Sequence, residues 1–439
     1  MALKILIVGL TIFLAHFFVF VFRKTKIPDV LLLMIGGIAV GPVLKLIGPE
    51  DFGVVGPVVT SIALIVILFE GGVNLHLRTV FGALRHTVFI TLITWAATAA
   101  TAAYLMYSLT PLGWSMAIMT GAIVGGTSSA VVVPMISALG MDERPRTVLF
   151  LESAITDVLC IVVTMGLLQA LERGDLDAGP MLLHILLSFG AATVIGTAGG
   201  LAWALLLGLV RRFPNTIFST VACVFLLYGV TELFEFSGAI AALAFGLSLA
   251  NFSGLSLSLT LSSKVKKTLK FRKVSRVDKL FFSEMVFLLK TFFFIYMGIC
   301  MRFDRAVYFV LGFVIVALVY LERFIIVRLV AYRQFTRRDA SIMTIMVPKG
   351  LAAAVLAFLP AQQGLAGAEW VEGVVIPVVL ISIVATSVLM VLIEKTPLRK
   401  MYFKIFASFA TVEGAAPAPP AATEPIAHTI TETSAHPQP

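Results

Sequence analysis

Residues 147–166 read "TVLFLESAITDVLCIVVTMG", an apolar run with Glu152 and Asp157 in its middle. As an α-helix, a run of this length rises about 30 Å, the thickness of a bilayer's hydrocarbon core. A carboxylate at mid-depth costs about 2.5–3.5 kcal/mol, so two in one segment demand a reason. If the helix enters near Thr147, Asp157 lies roughly 15 Å in, close to the midplane. Ser153, four residues earlier, shares its face. Glu152, five residues earlier, points about 140° away, so the two acids do different jobs. A midplane carboxylate holds either a proton or a monovalent cation, and exchange follows from competition for one charge. The alternative is an acid locked in a permanent ion pair, which suits Glu152 better than Asp157.

The rest of the chain agrees with a membrane setting. Its 439 residues are 59% hydrophobic and only 13% charged, against about 25% charged in soluble domains. Apolar runs fit near 2–22, 29–46, 56–74, 85–108, 114–138, 147–171, 180–210, 215–233, 237–251, 280–301, 305–331, 339–363 and 370–393. The expected fold is therefore an all-α polytopic membrane protein of about 13 transmembrane helices. Cys160, Cys223 and Cys300 are scattered within apolar runs and suit neither a disulfide framework nor a zinc site.

The net charge of +9 reflects topology rather than a nucleic-acid partner. With the N-terminus outside, the inner loops hold Arg23/Lys24/Lys26, Arg78/Arg85, Arg144/Arg146, Arg211/Arg212 and eight basic residues from Lys264 to Lys279. They also hold Arg333/Arg337/Arg338 and Lys395/Arg399/Lys400/Lys404, whereas the outer side carries only Lys4, Lys45, Arg173, Arg302 and Arg305. Positive charge on the inner side is what orients a polytopic chain, and it also attracts anionic lipid. The first run is too long, and its positive flank too late, for a cleaved signal peptide. Residues 1–396 read as the membrane domain. Residues 397–439 read as a cytoplasmic tail, Ala/Pro/Thr-rich and disordered from about 412. No GxGxxG follows a strand-like run, so no nucleotide-binding domain is expected.

Two spans carry breakers. The fifth contains Gly121, Gly125 and Gly126 ahead of Thr127-Ser128-Ser129, and the twelfth sets Pro348 and Gly350 around Lys349. Spans four to six and eleven to thirteen lie seven apart. That odd offset makes corresponding helices cross in opposite directions, the plan of an inverted repeat with two broken helices crossing near the midplane. Small residues alone would also serve close helix packing. Four basic residues fall inside spans: Lys290, Arg323, Arg328 and Lys349. Arg323 is the best partner for Glu152, and Arg328 lies near enough the cytoplasmic end to snorkel. Lys290 could compensate the charge of the site or serve an interfacial or packing role. Lys349 could face the negative end of a half-helix or repel cations from a partly filled site. Glu70 and Glu284 lie nearer span ends and read as interfacial.

Several stretches, in order, resemble the monovalent cation–proton antiporter superfamily, specifically the sodium/proton exchanger family in its prokaryotic form. They are "TKIPDVLLLMIGGIAVGP" (25–42), "ILFEGGVNLHL" (67–77), "GAIVGGTSSAVVVPMI" (121–136), "LESAITDVLCIVV" (151–163), "LYGVTELFEFSGAIAALAFGL" (227–247), "FFFIYMGICM" (292–301) and "VPKGLAAAVLAFLP" (347–360). The resemblance covers roughly residues 10–395. It implies that Asp157 binds cation and proton, and that Ser153 and the Thr127 main chain complete the cation's oxygen shell. It further implies a structural ion pair of Glu152 with Arg323. Core helices at about 85–171 and 303–396 would move, elevator-like, beside a dimerisation domain. The implied setting is a homodimer in a bacterial or archaeal cell membrane, with Na⁺ or K⁺ and H⁺ as cargo and no cofactor.

Thr156, grouped with the ion- and proton-binding residues, stands where the family carries Asn or Asp, and Lys349 where many relatives carry Arg. A single carboxylate at positions 156–157 leads to an expectation of electroneutral one-for-one exchange. The rivals are a sodium-coupled organic-anion symporter on a related inverted-repeat fold, an intramembrane enzyme and a channel. The broken spans hold few polar residues for a large substrate. No histidine forms an HExxH motif, and no carbonyl filter is evident.

Overall fold

The computed structural model describes residues 2–25, 27–52, 55–74, 85–139, 141–172, 178–210, 217–234, 236–258, 276–330 and 335–395. The expected tail from 397 and most of the basic stretch 264–279 lie outside them. Among the described residues the architecture is helical, with no β-strand. In chain order the helices are α1 (Ala2–Thr25), α2 (Asp29–Ile38), α3 (Val55–Asn74), α4 (Arg85–Leu109), α5 (Trp114–Gly125), α6 (Ser129–Leu139), α7 (Glu143–Glu172) and α8 (Ala178–Val210). They continue as α9 (Ile217–Leu233), α10 (Gly238–Ser258), α11 (Arg276–Ile299), α12 (Ala306–Val330), α13 (Arg337–Ile345), α14 (Leu351–Gln362) and α15 (Ala368–Lys395).

Within the described residues most apolar runs fall on one helix each; the second passes from α2 into a widened turn at Ala39–Val43, and the fifth and twelfth fall on the half-helix pairs α5/α6 and α13/α14. Among the described residues, seven segments are long and apolar enough to cross a membrane: those beginning at Thr87, Trp114, Arg144, Leu187, Leu280, Ala306 and Ala368. Six others are apolar over shorter lengths. The chain is a multi-pass membrane protein.

Local chemistry explains the irregular places. Pro42 has no N–H to give and lies in a widened turn, Ala39–Val43, where the Leu44 N–H reaches back to the Ala39 carbonyl at 2.9 Å. α13 begins at Thr336, whose hydroxyl accepts from the Asp339 N–H at 3.1 Å. α5 stops where Gly126 turns extended, at φ −78° and ψ 162°. The chain is extended again at Gly350 ahead of α14, at φ −151° and ψ −145°.

Two packing groups follow. α3, α8, α9 and α10 close on a cluster in which Phe69 meets the rings of Phe245 and Phe282, the latter from α11. α2 lies on α11, with Gly37 facing Gly298 so closely that a side chain on either would strike the other backbone. The second group sets α4–α7 and α12–α15 around the largest apolar core, to which α1, α2, α3 and α11 also contribute side chains. Both broken helices lie in this second group, and their breaks meet inside it.

Candidate functional site

The first break is Gly126-Thr127-Ser128 and the second runs from Met346 to Gly350. They touch through main chain: the Ser128 N–H donates to the Pro348 carbonyl at 2.7 Å. Gly350 is fixed by this crossing, because any side chain there would run into Ser128. Unwound backbone inside a membrane needs partners for its polar groups. Each break takes one from the long helix that follows it. The Thr127 N–H donates to Thr156 Oγ1 at 3.1 Å, and the Lys349 N–H donates to Ser382 Oγ at 2.9 Å. Each hydroxyl in turn donates three residues back along its own helix, Thr156 to the Ser153 carbonyl at 3.2 Å and Ser382 to the Val379 carbonyl at 2.9 Å. The two halves thus repeat one bonding scheme.

Asp157 follows Thr156 on α7. It keeps some accessible surface, while Glu152, Ser153 and Thr156 are buried. Ser129, the first residue of α6, donates its hydroxyl to Asp157 Oδ2 at 2.8 Å. The carboxylate therefore faces the positive amino end of a half-helix. Among the described residues no three His, Cys, Asp or Glu side chains gather to hold a metal. Further oxygens for a cation at Asp157 would come from hydroxyls and from main chain freed at the breaks. Such a set suits a proton or a hard monovalent cation.

The other expected residues divide. Ser153 is buried, but its hydroxyl donates to the Phe150 carbonyl at 2.9 Å instead of to Asp157. Thr127 lies in the break with both its N–H and its hydroxyl against Thr156 Oγ1, the hydroxyl at 3.2 Å. Glu152 and Arg323 come together as a bidentate pair, Arg323 Nη2 donating to Glu152 Oε2 at 2.6 Å and Nη1 to Oε1. Arg323 Nε also donates to the Met343 carbonyl at 3.0 Å, and Nη1 reaches Thr94 Oγ1 at 3.5 Å. The pair therefore ties α4, α7, α12 and α13, fully buried. Lys349 is buried in the second break, its Nζ without a hydrogen-bond partner and within the electrostatic reach of Cys160, Glu152, Arg323 and Glu322.

Lys290 goes elsewhere. Its Nζ pairs with Asp29 Oδ2 at 2.7 Å, across the packing of α11 on α2. Sequence reasoning missed three residues. Ser129 was visible only as the last of three small polar residues. Ser382 lay unmarked in an apolar run. Glu322 precedes Arg323; its Oε1 accepts from Thr101, and its Oε2 is buried without a partner.

Two broken helices that cross beside a part-buried carboxylate, within paired triplets of helices, define a secondary transporter. The family described as the sodium/hydrogen exchanger, transmembrane, matches residues 9–395, and the chain belongs to that family. It is 28% identical over 202 residues to a K⁺/H⁺ antiporter, NhaP2, of Shewanella oneidensis, a match covering 44% of this chain and 34% of that relative. It is 27% identical over 195 residues to the Na⁺/H⁺ antiporter 1 of Methanocaldococcus jannaschii, covering 43% of this chain and 44% of that one. The matched stretches thus span less than half the length of these relatives. The solved structure of the sodium proton antiporter MjNhaP1 from M. jannaschii at pH 8 superposes with a TM-score of 0.71, covering 88% of this chain and 99% of that one at 20% identity. That likeness is one of fold.

Proposed function

We propose that this chain exchanges a monovalent cation, Na⁺ or K⁺, for H⁺ by alternating access, with Asp157 binding the two in competition. The observation that carries the reading is Asp157 itself: a part-buried carboxylate, held by Ser129 at the amino end of α6, where two breaks meet. The relatives described as K⁺/H⁺ and Na⁺/H⁺ antiporters support it. Exchange is electroneutral, one for one. The neighbouring position is Thr156, a hydroxyl engaged with the break, so one carboxylate carries either one cation or one proton. Ser153 and the Thr127 main chain join the oxygen shell in the loaded site.

The group built on α4–α7 and α12–α15 moves as one unit against the group of α1–α3 and α8–α11, through which two copies associate. The bidentate Glu152–Arg323 pair, which ties four helices of the first group, suits a unit that moves whole. The protein works in a cell membrane with its N-terminus outside and its C-terminus in the cytoplasm, as the loop charges ask.

The test uses proteoliposomes holding an imposed pH gradient. Added Na⁺, Li⁺ or K⁺ is expected to dissipate the gradient with wild type and to leave it intact with Asp157→Asn. Normal exchange by Asp157→Asn would remove Asp157 from this role. A rate that changes with membrane potential would remove electroneutrality alone.

A further inference from the structure

The matched bonding of the two breaks provides a register. Thr127 on Thr156 corresponds to Lys349 on Ser382. Two residues beyond the bonded N–H stand Ser129 in the first half and Leu351 in the second. One residue beyond the bonded hydroxyl stand Asp157 and Ile383. Leu351 and Ile383 are buried and apolar. The same pair of positions is thus apolar in one half and polar in the other, and the polar version is a hydroxyl bonded to a carboxylate at 2.8 Å. The frame does not need a serine at position 129, since its counterpart is a leucine.

Ser129 is also free to serve the carboxylate in a way that most helical hydroxyls are not. Ser153, Ser341, Ser382 and Ser387 all donate to a carbonyl three or four residues back in their own helices. That bond is the usual sink for a helical hydroxyl. Ser129 is the first residue of α6 and has no preceding turn behind it, so its O–H points to Asp157. A hydroxyl carries one donor and two lone pairs. It donates to the empty, ionised carboxylate, accepts from the protonated acid, and turns a lone pair to a cation held between the two.

We propose that Ser129 is a specificity-determining member of the ion site, contributing its hydroxyl oxygen to the cation bound at Asp157 and so setting how tightly that cation is held. This assignment rests on the exchanger reading of Asp157, and its test separates the two.

Cation-driven H⁺ exchange is measured in proteoliposomes against Na⁺, Li⁺ and K⁺ concentration for wild type, Ser129→Ala, Ser129→Gly and Ser129→Thr. Loss of one oxygen ligand is expected to raise the cation KM about tenfold in the Ala and Gly variants, with the maximal rate within about twofold of wild type. Ser129→Thr keeps the hydroxyl and is expected to stay within about twofold of the wild-type KM. A fold defect would lower the maximal rate instead. Where Ala and Gly variants are poorly recovered, thermal stabilisation of the purified protein by added cation gives the second readout, and both are expected to need more cation for the same shift. An unmoved KM or stabilisation midpoint in Ser129→Ala overturns the assignment, as does a KM in Ser129→Thr raised as far as in Ser129→Ala. Wild type that exchanges no cation defeats the exchanger reading, and this assignment with it.

Discussion

At the first break the Thr127 N–H donates to Thr156, and the next residue on that helix is Asp157. At the second the Lys349 N–H donates to Ser382, and the next residue is Ile383. The scaffolding is the same: an extended stretch, a borrowed hydroxyl, a half-helix starting just beyond. What differs is the charge. The first half sets a part-buried carboxylate beside α6. The second sets an ammonium, buried and without a hydrogen-bond partner, beside α14. On the exchanger reading, holding a helix open and binding an ion are separate tasks. The hydroxyl frame does the first in both halves, and the polar pair at 129 and 157 is added in one.

The largest effect is expected where the two halves are fastened. Arg323→Ala leaves Glu152 buried without its partner, which costs about 3–5 kcal/mol. Thermal unfolding of the purified protein checks this, and the double variant Glu152→Gln/Arg323→Met should recover part of the loss. An Arg323→Ala protein as stable as wild type would show that the pair holds nothing together.

The frame itself comes next. Thr156→Val and Ser382→Ala each leave a buried main-chain N–H without its acceptor, at about 1–3 kcal/mol. If frame and chemistry are separate, both variants lose stability, but only Thr156→Val, adjacent to Asp157, changes the cation KM. A KM shift of equal size in Ser382→Ala would dissolve the distinction. The smallest effect belongs outside both halves. Asp29→Asn loosens a part-buried pair with Lys290, with side chains 12% and 15% exposed, and is expected to cost about 1 kcal/mol. Its cation KM should match wild type; a raised KM would connect α2 and α11 to the site after all.

Much of the frame could be read in advance because lipid penalises it. Asp157, Glu152 and Arg323 stand out in apolar runs since each is costly there without a purpose, and Gly126, Pro348 and Gly350 mark where a span gives way. The membrane setting, the offset repeat and the family followed from such residues. What escaped depends on which atom a hydroxyl chooses. Ser153 shares a face with Asp157, as its spacing says, yet a carbonyl of its own helix takes its proton. Ser129 sits 28 positions from Asp157 and is brought to it only by folding. Lys290 finds Asp29 at a separation of 261 residues, and a lone lysine in an apolar run gives no sign of where its partner lies.

The crossing has one further consequence, an electrical one. Four half-helix ends converge there: the carboxyl ends of α5 and α13, and the amino ends of α6 and α14. Each end carries a partial charge of about half an electron, negative at the carboxyl ends and positive at the amino ends, so the four cancel. The crossing is a quadrupole with no net charge to drag through the membrane field. On the exchanger reading, any voltage dependence of a transport stroke then comes from side chains and cargo, not from the helix ends.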